Sequence, residues 1–293
     1  MFFFPLFDNN PTGRRPFICW AILLFCILGF FWQLSLTGSA AQHSLYQFGF
    51  VPALVLSDAT LPADMVMVPA WATIFTSMFL HGGWMHIGGN MLYLWIFGDN
   101  VEDAMGPVKF IIFYALCGVA AAFAQGMIAP ESTIPMIGAS GGIAGVLGAY
   151  IMLHPKAAVR TFVLIFVFVR FINLPAWLVL GVWIAGQFVA VPQALAGNEG
   201  GVAYMAHIGG SLAGMALIPF FKHRNVALFD RSLPPQRWSG EPISFATIKS
   251  EAKQRYRRDP LGSRIITSPS SKATKSGSVP GFKRPSDKKS PWD

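Results

Sequence analysis

The sequence predicts an all-α, polytopic membrane protein, a bundle of six spanning helices, and three observations predict it. Of the 293 residues, 53% are hydrophobic and only 12% charged, about half the charge of an average soluble domain. The charge is also segregated: 16 of the 22 Lys and Arg lie at or after Lys222, so residues 1–221 hold just six. Finally, apolar runs recur at the length of about 20 residues that a helix needs to cross a hydrocarbon core of about 30 Å. The chain divides into an N-terminal segment (1–16), a membrane domain (17–222) and a basic tail (223–293).

Spans are predicted at 17–37, 84–105, 108–128, 140–154, 174–194 and 203–222. The first has no small-residue cleavage pattern after it and reads as an anchor, not a signal peptide. Residues 161–169 form an apolar run too short to cross, bracketed by Arg160 and Arg170. Asn173-Leu174-Pro175 then breaks any helix. This piece is expected to be re-entrant or interfacial; a seventh span is the alternative. Arg14 and Arg15 precede span one, Lys156 and Arg160 follow span four, and Lys222 and Arg224 follow span six, whereas 38–83 holds no Lys or Arg. The positive-inside rule puts both termini in the cytoplasm, so spans two, four and six start on the outer side. Cys19, Cys26 and Cys117 sit in apolar runs without framework spacing and read as buried thiols. The tail, rich in Lys, Arg, Ser and Pro, lacks the apolar surface to order itself. Anionic lipid is its candidate partner, with a solvated tail of no function as the alternative; no nucleic acid is expected.

The chemistry gathers at the outer ends of the even spans. Ser140 opens span four in Gly138-Ala139-Ser140-Gly141-Gly142. Fourteen residues separate it from the His154-Pro155 stop, about 21 Å of helix. Ser140 should therefore lie about 10 Å below the surface, beside non-helical backbone that must line a water-filled pocket. His207 opens span six, six residues after Gly201, at a matching depth of about 9 Å. A lone serine at a helix start is usually a cap; a depth-matched histidine changes that balance, because a serine nucleophile needs a base within hydrogen-bond reach. Gly141, Gly145 and Gly148 on span four, and Gly210 and Gly214 on span six, favour close helix approach. His86 and Asn90, spaced i,i+4 at the start of span two, share one face and, with the Ser140 N–H, are candidates to stabilise an oxyanion. His81 and Glu102 read as structural, each bonding backbone.

These motifs resemble the rhomboid intramembrane serine proteases, particularly bacterial ones. The resemblance rests on Gly138-Ala139-Ser140-Gly141, on Ala206-His207 with its following glycines, on His81, His86 and Asn90, and on Gly98, Glu102 and Gly106. It covers about 70–222. It implies a six-span rhomboid-like bundle in a bacterial cytoplasmic membrane and a Ser140–His207 dyad without an acidic third member. It also implies oxyanion roles for His86, Asn90 and the Ser140 amide, structural support from His81, Glu102, Gly138, Gly141 and Gly210, and no metal or cofactor. The implied substrates are single-span membrane proteins, cut near their outer ends after a small residue. Two positions depart from the family pattern. Trp71 is followed by Ala72 where an arginine is frequent, and Ala144 stands where some members place a tyrosine against the catalytic histidine. Two other classes are weighed: a catalytically inactive relative that binds transmembrane helices, and a small transporter, for which the expected internal repeat is missing.

Overall fold

The computed structural model describes residues 2–165, 168–195 and 203–230. Its helices are α1 (Phe17–Ser35), α2 (Ser39–Phe48), α3 (Pro52–Leu56), α4 (Thr73–Thr76), α5 (Trp84–Met105), α6 (Pro107–Gly126), α7 (Ser140–Leu153), α8 (Ala176–Leu195) and α9 (Tyr204–Phe221). Three strands accompany them: β1 (Phe2–Asp8), β2 (Ala158–Ile165) and β3 (Phe168–Pro175).

The helix boundaries follow local chemistry. Gly106, at φ +84°, ends α5 with its N–H on the Glu102 carbonyl, and Pro107 then opens α6. Glycine after a helix and proline at the first position of the next is the expected order. Among the described residues, α1, α6 and α9 are long and apolar enough to cross a membrane alone. α5 reaches that standard only together with Ala63–Phe79, from which it is bent by 83°; Asp99, Glu102 and Asp103 crowd its last turns. α7 and the part of α8 from Ala176 to Pro192 are apolar but shorter.

The all-helical expectation needs correction: the chain is mostly helical, but β1, β2 and β3 form an antiparallel sheet in that order. Of the run 161–169, expected as a re-entrant or interfacial piece, residues 168–169 open β3 and residues 161–165 fall in β2. Its burial alternates with period two. Val159, Thr161 and Val163 are buried, while Arg160, Phe162 and Leu164 are less so, as for a strand with one face against a core. Phe4, Phe162 and Phe171 line up across the other face.

α7 sits at the centre. Every residue from Gly141 to Tyr150 is buried, against α5, α6 and α9. The approach of α9 is backbone to backbone. A Cβ on Gly210 would overlap the Gly141 carbonyl, one on Gly214 the Gly145 carbonyl, and one on Gly148 the Ser211 carbonyl. Small residues permit that contact, and in lipid the packing itself drives association.

One end of the bundle is tied by backbone and carboxylate bonds. His223 N–H donates to the Ala104 carbonyl at 2.8 Å, and Phe229 and Asp230 donate to Met152 and Leu153 at 2.7 and 2.9 Å. The last turns of α5, α7 and α9 therefore meet, and residues 223–230 fold back on them; residues 231–293 lie outside the described residues. Glu102, buried, accepts the N–H groups of Ile18 and Cys19 at 3.1 and 2.8 Å, which are among the orphan donors opening α1. At the far end of α1, Gln33 Oε1 accepts the His81 N–H at 2.8 Å, so α1 runs antiparallel to α5. Asp8 accepts hydrogen bonds from the Tyr150 hydroxyl and from Asn100 Nδ2. Burial, then the neighbouring Asp99 carboxylate, holds the Asp8 carboxyl well above the usual carboxylate range. Asp103 accepts the Gly13 N–H at 2.8 Å.

Candidate active site

The opposite end of the bundle is built differently. The loop before α7 is irregular, held by Phe50 and Met136, which exchange backbone bonds at 3.0 and 2.7 Å. It ends at Gly138, whose φ of +127° strains any other residue and whose N–H donates to the Ser77 carbonyl at 2.9 Å. Two residues on, Ser140 opens α7, so its side chain stands where the first N–H groups of a helix have no intrahelical partner.

Ser140 Oγ lies 2.9 Å from His207 Nε2. The two side chains come from the first turns of α7 and α9, the pair brought together by the glycine contacts. An imidazole nitrogen at that distance can take a hydroxyl proton as the oxygen attacks. The loop ending at Gly201, from which the depth of His207 was reckoned, lies outside the described residues. A cavity of about 720 Å³ opens over the pair, with His86, Asn90, Met136 and Gly138 in its wall.

His86 stands in α5, one turn before Asn90. Its Nδ1 accepts the Gly82 N–H at 3.2 Å. A neutral imidazole has one N–H, so this bond puts the hydrogen on Nε2. That nitrogen points at Gly138: a Cβ there would come within 2.7 Å of His86 Nε2 and 3.6 Å of Ser140 Oγ. Gly138 thus keeps open the space between the two groups. Asn90 is 7% exposed, and its Nδ2 has no hydrogen-bond partner among the described residues. A buried donor left open on a cavity wall is costly and is the kind of group that receives a developing negative charge. His81 is buried behind His86, ring edge to ring face at 5.2 Å. Of the remaining positions singled out in the sequence, Gly141 and Gly210 lie in the α7–α9 contact, and Glu102 lies at the other end of the bundle.

Sequence reasoning missed two residues, both on α8. Gln187 Oε1 lies 2.7 Å from His207 Nδ1, and the Trp183 ring packs on the His207 ring at 5.4 Å between centroids, tilted by 36°. A polar glutamine inside an apolar span was the available signal; the i,i+4 spacing to Trp183 puts both on one face. Among the described residues, no group of three or more His, Cys, Asp or Glu is arranged to hold a metal ion.

Apolar helices around a part-buried serine–histidine contact define a class, and comparison identifies it. The rhomboid-domain family model matches residues 69–224, more than half of the chain, and the chain belongs to the rhomboid family. It is an integral membrane protein with protease relatives. It is similar to the Rhomboid protease GlpG of Klebsiella pneumoniae, 26% identical over 214 residues, covering 73% of this chain and 66% of that one. It is 34% identical over 154 residues to Rhomboid protein 1, mitochondrial, of Saccharomyces cerevisiae, covering 49% of this chain and 40% of the relative. Rhomboid-like protein 11, chloroplastic, of Arabidopsis thaliana is 26% identical over 159 residues, covering 51% and 52%. The chain thus spans between 40% and 66% of these three relatives' own lengths.

Proposed function

We propose that the chain is an intramembrane serine endopeptidase that cleaves single-span membrane proteins near their outer ends. The observation that carries the reading is the 2.9 Å contact between Ser140 Oγ and His207 Nε2 beneath an open cavity. Ser140 Oγ attacks the scissile carbonyl carbon and its proton passes to His207 Nε2. The C–N bond breaks as the leaving amine takes that proton, and an acyl ester remains on Ser140. A water then gives a proton to Nε2 and adds its oxygen to the ester carbon; the C–Oγ bond breaks and Oγ recovers the proton. The oxyanion formed in each step is met by the Ser140 N–H, His86 Nε2–H and Asn90 Nδ2. Donors fixed before reaction cost no reorganisation when the charge appears.

In this reading α1, α5, α6, α7, α8 and α9 are the six crossings, with both termini in the cytoplasm of a bacterial cell and the cavity open to the outer side. Anionic lipid is the proposed partner of the basic tail. The test is labelling by a serine-directed phosphonate in detergent or liposomes: wild type labels, and Ser140→Ala and His207→Ala do not. Persistent labelling of Ser140→Ala would sink the assignment, and a wild type that never labels favours an inactive, helix-binding relative.

A further inference from the structure

We propose that Gln187 is the positioning residue of this site: it fixes the tautomer of His207 that leaves Nε2 free to accept the Ser140 proton. The inference rests on the nucleophile-and-base reading above.

The amide orientation comes first. Gln187 Nε2 donates to the Trp183 carbonyl at 3.0 Å, one turn back along α8. That assigns the two ends of the amide, since nitrogen donates and oxygen only accepts. Oε1 is then the atom 2.7 Å from His207 Nδ1, so Nδ1 carries the hydrogen. A neutral imidazole has only one. Nε2 is left with its lone pair directed at the Ser140 hydroxyl, 2.9 Å away. The opposite tautomer sets two lone pairs against each other at 2.7 Å and points an N–H at the serine, where it cannot take a proton. When Nε2 is protonated, the Nδ1–H bond to Oε1 becomes charge-assisted and strengthens, so the contact favours the imidazolium state more than the resting one.

Trp183 completes the hold. Its ring lies over the imidazole from the same face of α8, and Ala144, fully buried on α7, is too small to offer a ring contact. The titratable neighbours are few among the described residues, and α6 meets the cavity with Gly118, Ala121 and Ala122. His86 of α5 and Tyr93 of α5 face the same cavity; α7 brings Ser140, and α8 brings Trp183 and Gln187, neither of which titrates.

The experiment uses the full chain and two readouts. The first is ¹⁵N NMR of histidine-labelled protein, with His207 assigned by difference from His207→Asn among the six histidines. Nδ1 protonated and Nε2 bare is expected; the reverse overturns the proposal. The second is the rate of phosphonate labelling against pH for Gln187→Leu and Gln187→Glu, with Ser140→Ala as the blank. Gln187→Leu keeps the shape and loses the acceptor, and should label about 10- to 100-fold more slowly. Gln187→Glu keeps the acceptor and adds charge. It should label, with the acid limb of its profile moved to higher pH by about one unit, a change that packing alone does not produce. Labelling of Gln187→Leu at the wild-type rate, or an unmoved limb in Gln187→Glu, overturns the positioning role while leaving the protease reading intact. A wild type that never labels overturns both.

Discussion

The two ends of the bundle differ in what their polar side chains meet. At the end where α5, α7 and α9 finish, the carboxylates are matched to partners, though Asn10 is buried near Asp8 with neither amide atom bonded among the described residues. Glu102 receives two backbone N–H groups, Asp103 receives one, and Asp8 receives Tyr150 and Asn100. At the end where the same helices begin, Asn90 Nδ2 is buried without a partner among the described residues, and His86 Nε2–H faces open space beside Gly138. The first arrangement stabilises a fold. The second keeps hydrogen-bonding capacity in reserve, which a fold alone does not require. Stability and chemistry are thus segregated along the bundle axis, and substitutions at the two ends should separate cleanly.

The largest expected effect is at the open end. Ser140→Ala should abolish phosphonate labelling and substrate cleavage, a loss of about 10⁴-fold or more, while thermal stability stays within about 2 °C of wild type. A large drop in stability would break the contrast. Next, Asn90→Ala should slow the reaction by about 10²-fold and leave stability unchanged or improved, because an unpartnered buried donor is removed. If the variant instead unfolds readily, Asn90 holds the fold and the comparison fails at that residue. At the tied end, Glu102→Ala should cost about 2 kcal/mol of stability by stripping the partners from Ile18 and Cys19. The labelling rate per folded molecule should change by less than about threefold.

The smallest effect is expected at Asp8. Its carboxyl is held above its usual range by burial and by Asp99, so its contribution to stability is complete below the unfolded value of about 3.9 and is lost as pH rises through the folded value. Asp8→Asn keeps an oxygen to accept from Tyr150 and cannot titrate. Its melting temperature should decline less between pH 4 and pH 8 than that of wild type, by about 2 °C. Parallel curves for the two proteins would show that the Asp8 carboxyl does not titrate above its unfolded range.

Much of the helical frame was legible. Residues 84–105 are the bounds of α5, and the expected limits of α6, α7 and α9 fall within two residues of those observed. Gly83, Gly106-Pro107 and His154-Pro155 punctuate these helices strongly, and such signals are local. The sheet was not legible. A nine-residue apolar run reads alike as a buried strand or a short helix, and β1 becomes a strand only by pairing with residues more than 150 positions away. The juxtaposition of Ser140 with His207 could be argued because helix length and small-residue seams constrain depth and neighbour. Gln187 and Trp183 could not, because the rotation of α8 about its own axis decides which face meets His207, and the apolar sequence of α8 carries little sign of it.

The glycine seam between α7 and α9 has a consequence for where the active geometry comes from. With carbonyl groups of one helix resting on the α-carbons of the other, the spacing between Ser140 and His207 is set by main chain rather than by adjustable side chains. The ordering entropy of that pair is met once, when the helices assemble in the bilayer, and under the proposed protease reading it is not met again at each turnover.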